Sequence, residues 1–482
     1  MTAVQVLDWP VSPEDHLPLA LWTSGELVGA TGGTASAAFE VSGVATDSRE
    51  VREGDLFVAL KGDAMDGHAF LDKAFANGAA AAVVDRPIPQ PHLLAENTSS
   101  ALELIAKAAR NRGEAQFIGV TGSAGKTGVK EALFAALDRG SRGRAHRSLK
   151  SYNNHVGVPL SLSRMPARAK YGVLEMGMNH AGELAALTRI VRPHVAIVTT
   201  IAPAHIGFFS GEEAIADAKG EIFEGLTPGG TAIIPADSPH FERLREKALL
   251  HAAHVVSFGR APEADVRVLD AIEAANGGTL VTAEMGARRI CYTLSQPGEH
   301  WVRNSLAVMA AVRAVGGDLG AAGVALATMA GLPGRGARHT IAAKGGEALL
   351  IDESYNANPA SMVATLAELG RTPASRRIAV LGAMRELGDR SDEYHAALAG
   401  PIREARIDQV VLVGDEMAAL ADELGKSAGD ALHNPVSVAH AALTGEAAAA
   451  LSALGLKAGD AILVKGSNSV GLSALIRSLT TG

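Results

Sequence analysis

Apolar runs of strand length recur along this chain, and nearly all of them stop at glycine or a polar residue. "QFIGVTG", "YGVLEMG", "HVAIVTTIA" and "GTAIIPA" follow one another in the middle of the sequence. "ALLIDES", "RIAVLGAM", "QVVLVGDE" and "AILVKGS" follow in its last third. Amphipathic, helix-like segments separate them. Near-continuous apolar runs mark strands buried on both faces, and the intervening helices supply the long crossovers that parallel strands need. The pattern therefore predicts an α/β protein with mostly parallel sheets and right-handed connections. In such sheets ligands collect at the carboxyl ends of strands, so those polar endings are where chemistry is sought. A chain of 482 residues is too long for one core. Three domains are expected: a small N-terminal α/β domain over 1–114, around "DLFVALKG", "AFLDKAFANGA" and "AAAVVD"; a central domain over 115–332; and a Rossmann-like C-terminal domain over 333–482, entered through the glycine- and proline-rich stretch "GLPGRGARH".

Composition narrows the function classes. Fifty-three glycines and only 4% aromatic residues suit many tight strand-to-helix turns. A net charge of -8 argues against a nucleic-acid or anionic-membrane partner bound by bulk charge. Cys291 is the only cysteine, so no intrachain disulfide can form, and a reducing cytoplasm is expected. The opening "MTAVQVLDWPVSPEDHL" lacks a basic region followed by an apolar run, and no uninterrupted apolar stretch of about 18 residues is present for membrane insertion. No extended apolar helix face stands out for pairing, so a monomer is expected.

"FIGVTGSAGKTGVKEAL", Phe117 to Leu133, reads as strand, glycine turn, lysine and helix. The generic phosphate-loop pattern places a glycine five residues before Gly125, where this chain has Val120, so that pattern misses by one residue. The physics of a phosphate grip remains. Gly122, Ser123, Ala124 and Gly125 bring backbone N–H groups to phosphate oxygens, at the positive end of a helix. Lys126 reaches the outer phosphates, and the Thr127 hydroxyl can ligate Mg²⁺. Pumps, switches, kinases and ligases all use such loops.

Other candidates are weaker alone. Glu175 ends the next strand in "VLEMGMNHAGE", where a carboxylate can hold Mg²⁺ or face solvent. His205 follows a strand in "TTIAPAHIGFF"; a lone histidine there is more often a packed or surface residue. Lys219 in "AIADAKGEIFEGL" would ordinarily be a solvated helix lysine. "HAAH", His251 to His254, has helical zinc-like spacing without a third ligand and is read as a surface helix.

Together these pieces resemble the Mur ligase family, from about residue 44 to 470. The family loop TG-x-x-GK-T is matched by "TGSAGKT", which accounts for the one-residue miss. "TDSREVREGDLFVALKG" resembles the uridine-nucleotide segment, where Ser48 and Arg49 would face UDP. "SYNNHVGVPLSL" resembles the substrate segment, with Asn153 and Asn154 in it. The resemblance places Glu175 and His205 among magnesium ligands, and Lys219 where the family often carries a carbamylated lysine; with Thr127 these would hold two Mg²⁺ ions as ATP reacts. It makes Lys126, Glu175, His205 and Lys219 the catalytic set. It gives Asn304, in "GEHWVRNSLAVMAA", to adenine, and Arg335 and Asp352 to the ATP ribose side. It gives Tyr355, Asn356 and Lys465, in "ESYNANP" and "LVKGSNS", to the substrates. "ESYNANP" and the absence of "DNPR" favour the branch that joins D-alanyl-D-alanine to UDP-N-acetylmuramoyl-tripeptide through an acyl phosphate.

Four residues depart from the family pattern: Trp301 and Ser151 where asparagine is common, Ala383 where an acid is expected, and Asn468 after "KGS" in place of arginine. A ligase adding another amino acid is the nearest alternative, of the diamino-acid or folylpolyglutamate type; the "TDSR" segment speaks against the folate branch. An ATP-switched binding protein would use the loop and leave the terminal motifs without a role.

Overall fold

The computed structural model describes residues 20–62, 65–203, 206–273, 278–426 and 436–481. His205 lies outside the described residues. The chain divides into two compact units. One runs up to Glu114 and includes Val156–Ala169; the other holds Ala115–His155 and everything from Lys170 onward.

In the first unit a five-stranded sheet runs in the order Thr34–Ala35, His92–Leu94, Ala81–Val84, Asp55–Val58, Gly43–Ala45. The first pairing is antiparallel and the others are parallel. The strands Asp55–Val58 and Ala81–Val84 are buried at every position, as expected of strands covered on both faces. The helix Thr98–Asn111 starts at an Asn97 cap, whose side chain accepts from Ser100 N–H. The segment Val156–Ala169 contributes a short helix, Gly157–Ser163, with every residue buried. It is fastened to this unit by Trp22 Nε1 donating to the Ser163 carbonyl at 2.8 Å, and by Arg164 donating to the Val44 carbonyl. Arg112 donates to the Met165 carbonyl as well.

The second unit contains two sheets. The larger has nine strands among the described residues, ordered Arg288–Leu294, Thr279–Met285, Val266–Glu273, His254–Gly259, Thr231–Pro235, Val195–Val198, Gln116–Thr121, Tyr171–Glu175, Ala145–Arg147. From Ala145–Arg147 through to Val266–Glu273 neighbours run parallel. The last two pairings are antiparallel, a meander on the edge of the parallel sheet. The helices Lys126–Ser141 and Glu299–Ala314 pack on this sheet through Val129, Leu133, Leu306 and Val308, all fully buried. The smaller sheet runs Ala337–Ala343, Gly346–Glu353, Asp460–Lys465, Arg376–Gly382, Gln409–Val413, Ser437–Ala441, with only its first pairing antiparallel.

The histidine pair is a correction. The helix Phe241–Leu249 ends before His251, and His254 opens the strand His254–Gly259. The two side chains therefore belong to a turn and a strand, and helical spacing does not bring them together. An apolar run, "HVVSFG", lies directly behind the second histidine and pairs with Thr231–Pro235, which overrides the local helical tendency.

Candidate phosphate and metal site

The strand Gln116–Thr121 feeds Gly122–Gly125 into the helix Lys126–Ser141. Gly122 has φ 147° and Gly125 φ 82°, backbone that favours glycine. A Cβ on Gly122 would stand 2.0 Å from Thr199 Oγ1, and one on Gly125 would stand 2.9 Å from Asn304 Nδ2. The loop is braced from the neighbouring strand end. Ser123 N–H donates to the Thr200 carbonyl and Ser123 Oγ to the Ala202 carbonyl, both at 2.8 Å, while Thr199 Oγ1 donates to the Ala124 carbonyl. The Lys126 ammonium folds back on Gly122, donating to its carbonyl at 2.7 Å.

Glu175 ends the adjacent parallel strand, and the sheet register puts it opposite Val120, beside the loop. It is buried, and its two oxygens have different partners. Thr127 Oγ1 donates to Oε2 at 2.8 Å, and Asn153 Nδ2 donates to Oε1 at 2.8 Å. Because the Thr127 proton is committed to Glu175, the Ser151 hydroxyl 3.3 Å away supplies the proton between those two oxygens, and Arg335 Nη2 donates to Ser151 Oγ at 3.2 Å. A chain of donors thus runs from Arg335 through Ser151 and Thr127 to Glu175. Lys126 is partly buried, and desolvation lowers its pKa; Glu175 opposes that shift and Arg335 adds to it.

Lys219 sits in the helix Glu212–Gly220 and is 2% exposed. No hydrogen bond or ion pair joins it to another described residue. Burial, and then the charge of Lys126, push its pKa well below the ordinary lysine value, so its amine loses its proton easily.

Asp352, expected beside the ribose, is occupied locally. Its Oδ2 accepts from Gly334 N–H at 2.7 Å and its Oδ1 from the Ser354 hydroxyl at 2.6 Å. It holds the chain where the glycine-rich stretch enters the smaller sheet, and the Arg335 guanidinium lies 4.2 Å from the Tyr355 ring centroid. Lys465 is buried and donates to the Asn356 carbonyl at 2.9 Å, with Glu353 3.5 Å away. Burial lowers the Lys465 pKa and raises that of Glu353. Asn154 is exposed. In the first unit Ser48 is buried, its carbonyl accepting from Asn77 Nδ2, and Arg49 is exposed and paired with Asp47, whose pKa it lowers to about 2.

One cavity borders the loop through Ser123, and a second lies apart from it. One of about 180 Å³ is lined by Ser123, Asn358, Arg385, Glu386, Ser467 and Asn468, among others. Another of about 520 Å³ lies at the start of the helix Glu299–Ala314, against His300, Arg303, Val363, Arg371 and Tyr394. Burial, with Arg303 and Lys465 nearby, pushes the His300 pKa down to about 4.

The sequence reading passed over Asn358 and His300. Asn358 was visible as a helix cap, since "NP" opens the helix Pro359–Arg371, but its donation to the Ser123 carbonyl was not. The departures also find places. Ser151 is the link between Arg335 and Thr127. The Trp301 ring lies so near Gly128 that a Cβ there would stand 2.9 Å from it. Ala383 is fully buried, and Asn468 lines the smaller cavity.

Thr127 and Glu175 form a small, oxygen-only donor set at the phosphate end of the loop. Among the described residues no group of three or more histidine, cysteine or acidic side chains gathers. That fits Mg²⁺, which keeps several waters and shares phosphate oxygens, better than a metal caged by protein.

Three family models match the chain: Mur ligase family, catalytic domain, over 40–126; Mur ligase middle domain, over 120–312; and Mur ligase, glutamate ligase domain, over 337–468. The UDP-N-acetylmuramoyl-tripeptide--D-alanyl-D-alanine ligase of Escherichia coli (strain K12) is 36% identical over 405 residues, 83% of this chain and 86% of the relative. A crystal structure of MurF from Acinetobacter baumannii superposes with a TM-score of 0.81 at 30% identity, covering 96% of this chain and 99% of the other. MurF ligase from Thermotoga maritima in complex with ADP superposes with a TM-score of 0.73 at 28% identity, over 91% and 97%.

Proposed function

The chain belongs to the Mur ligase family, and we infer that it joins D-alanyl-D-alanine to UDP-N-acetylmuramoyl-tripeptide in an ATP-dependent reaction. The product is the UDP-linked pentapeptide used to build peptidoglycan. The observation that carries this reading is the joined set Thr127, Glu175 and Asn153, with Lys126 folded on the loop at Gly122 and Arg335 tied in through Ser151 from the start of the smaller sheet.

The tripeptide carboxylate is a poor electrophile. A carboxylate oxygen attacks the γ-phosphorus of ATP, the bond to the β-phosphate oxygen breaks, and ADP leaves. The dipeptide amine then attacks the acyl carbon, and phosphate leaves with the bonding electrons. Lys126 and the loop N–H groups hold the phosphates and oppose the charge that grows on them. Thr127 and Glu175 would hold one Mg²⁺, with His205 and a modified Lys219 beside a second. Bound there, Mg²⁺ screens the repulsion between carboxylate and triphosphate. The larger cavity suits adenine, with Asn304 against the loop and His300 in the wall. Tyr355, Asn356 and Lys465 line the acceptor side, and Asp352 holds the entrance rather than reaching outward. In the first unit Ser48 and Arg49 meet the uridine nucleotide, and Asn154 lies along the substrate segment. Excluding water matters because water would hydrolyse the acyl phosphate.

The low pKa of Lys219 supports carbamylation, since only a neutral amine attacks CO₂. The product is a carbamate and a released proton, which turns a buried neutral amine into an anion near Lys126. Lys219→Ala is expected to be nearly inactive and partly rescued by a small added carboxylate; full activity without rescue would remove this assignment. The chain is read as a cytoplasmic monomer, where ATP and nucleotide-linked substrates are available. No helix among the described residues is long and apolar enough to cross a membrane.

Phosphate release from ATP, measured with each substrate alone and with both, tests the function. Release that requires both, with UDP-pentapeptide formed, is expected. Equal turnover without either substrate would leave an ATPase and remove the ligase.

A further inference from the structure

Lys130 is a fully buried lysine to which the phosphate chemistry gives no part. It lies one helical turn beyond Lys126, on the helix Lys126–Ser141. Taking an ammonium group out of water is costly unless its donors are met. Here they are met. Its Nζ donates to the Ser148 carbonyl at 3.0 Å and to the Lys150 carbonyl at 2.7 Å, and Glu131 Oε1 lies 2.9 Å away. Three protons therefore meet three oxygens. An apolar side chain would pack this helix against its neighbours without that cost, so the two carbonyls are what the cation serves.

Both carbonyls belong to the stretch 148–155, which follows the strand Ala145–Arg147 and has no helix or strand of its own. Lys150 has φ 51°, a left-handed conformation that a non-glycine residue keeps only where its surroundings enforce it. Three side chains of this stretch touch Glu175 or Thr127. Ser148 Oγ accepts from the Glu175 N–H at 3.1 Å, Ser151 Oγ stands 3.3 Å from Thr127 Oγ1, and Asn153 Nδ2 donates to Glu175 Oε1 at 2.8 Å. The Asn153 carbonyl accepts from Gly177 N–H at 2.8 Å, just past the end of the Glu175 strand. The backbone and the carboxylate of Glu175 are thus both held from a stretch whose own shape depends on Lys130.

We propose that Lys130 is a positioning residue for the metal site: by clamping the Ser148 and Lys150 carbonyls it fixes the stretch that aims the Glu175 carboxylate at the phosphate end of the loop. The inference rests on the reading of Thr127 and Glu175 as the Mg²⁺ holders. It gives one helix two tasks. Its first residues, Lys126 and Thr127, meet the phosphates and the metal directly. One turn later Lys130 sets the carboxylate that faces them from the next strand, so cation and anion of the site are referred to a single rigid element. Without the clamp Lys150 can relax out of its left-handed conformation, and Ser151 and Asn153 move with it. Glu175 would then keep its charge and lose its aim.

The test compares metal binding with metal-free nucleotide binding in the full-length protein. Lys130→Met keeps an unbranched side chain and removes the donors; Lys130→Met with Glu131→Gln also removes the carboxylate left without its partner, and it carries the measurement if the single variant does not fold. Mn²⁺ binding at saturating ADP, read from the spin-resonance signal of free Mn²⁺, is expected to weaken about tenfold. ADP binding without metal, read by calorimetry, should stay within about twofold, because the loop N–H groups and Lys126 do not depend on the clamp. The Mg²⁺ concentration giving half-maximal ligation should rise about as much as Mn²⁺ binding weakens, and Lys130→Arg, which keeps a charged donor, should recover part of both losses. A helix that had only lost packing would weaken metal-free ADP binding equally, and that result would overturn the inference. Wild-type Mn²⁺ affinity in a folded variant would overturn it too, while leaving Thr127 and Glu175 as metal holders. Wild-type protein that binds no Mn²⁺ with ADP would remove the metal site and this inference together.

Discussion

The side-chain amide of Asn358 donates to the Ser123 carbonyl at 3.2 Å, across 235 residues of chain. The same residue caps the helix Pro359–Arg371, its Oδ1 accepting from Ser361 N–H at 2.9 Å. One side chain therefore starts a helix behind the smaller sheet and steadies the phosphate loop of the larger one. Asn358→Ser keeps a capping oxygen and is too short to donate to Ser123. It should leave thermal stability nearly unchanged and weaken ADP binding by about threefold to tenfold, the range of one hydrogen bond. Asn358→Ala should also destabilise the protein by about 1 kcal/mol through the lost cap. Calorimetric binding and thermal melts of both variants separate the two roles.

Gly122→Ala should remove nucleotide binding while the protein remains folded. Both the left-handed backbone at φ 147° and the 2.0 Å approach of Thr199 Oγ1 oppose a Cβ. The loop must move, and its N–H groups lose their aim. ADP affinity is expected to fall about tenfold or more, roughly 1.4 kcal/mol. Wild-type affinity in this variant would show that the loop adapts.

Glu175→Gln keeps the size of the side chain and removes its charge. The Thr127 and Asn153 donors would then compete for one carbonyl oxygen, and the proposed Mg²⁺ site would lose its anion. Ligation should slow about 100-fold or more in kcat. A steady-state assay across a magnesium titration checks this, and saturation at the wild-type magnesium concentration would remove Glu175 from the metal site.

His300 makes a pH prediction. Its pKa in the folded protein is about 4, against 6.5 for an unperturbed histidine, so between those values the unfolded chain binds more protons than the folded one. Stability contributed at His300 is present above about pH 6.5 and falls as the solution is acidified towards pH 4, by up to about 3 kcal/mol. His300→Asn should lose less stability over that window, read as the urea midpoint at pH 7 and at pH 4.5. Parallel acid sensitivity in both proteins would place the titrating group elsewhere.

What could be read from the chain alone follows from the range of the interactions. The phosphate loop was legible because strand, turn and helix are contiguous from Gln116 to Ser141, and Glu175 because strand endings converge in a parallel sheet. Ser151 and Asn358 were hidden because their partners, Arg335 and Ser123, are far away in sequence. The burial of Lys219 was equally invisible: "AIADAKGEIF" reads as a helix with a solvated lysine, and only packing shows the cation enclosed. "HAAH" misled because periodicity within four residues cannot tell a helix from the start of a strand. The antiparallel meander of Val266–Glu273, Thr279–Met285 and Arg288–Leu294 was not anticipated, because its half-exposed strands lack the continuous apolar runs of the parallel sheet.

The segment Val156–Ala169 belongs to the first unit while its flanks belong to the second. The polypeptide therefore passes between the units after residues 114, 155 and 169, and not once, as beads on a string would. A protease that nicks only the first junction cannot release the N-terminal unit whole, because the helix Gly157–Ser163 would stay covalently with the other fragment. Gene fragments divided at Glu114 should each lack a partner for buried surface, Trp22 and Thr98–Asn111 on one side and Gly157–Ser163 on the other. Co-expression would be needed to restore either half to solubility. A cut that moves the first unit alone therefore leaves a buried helix of its core behind.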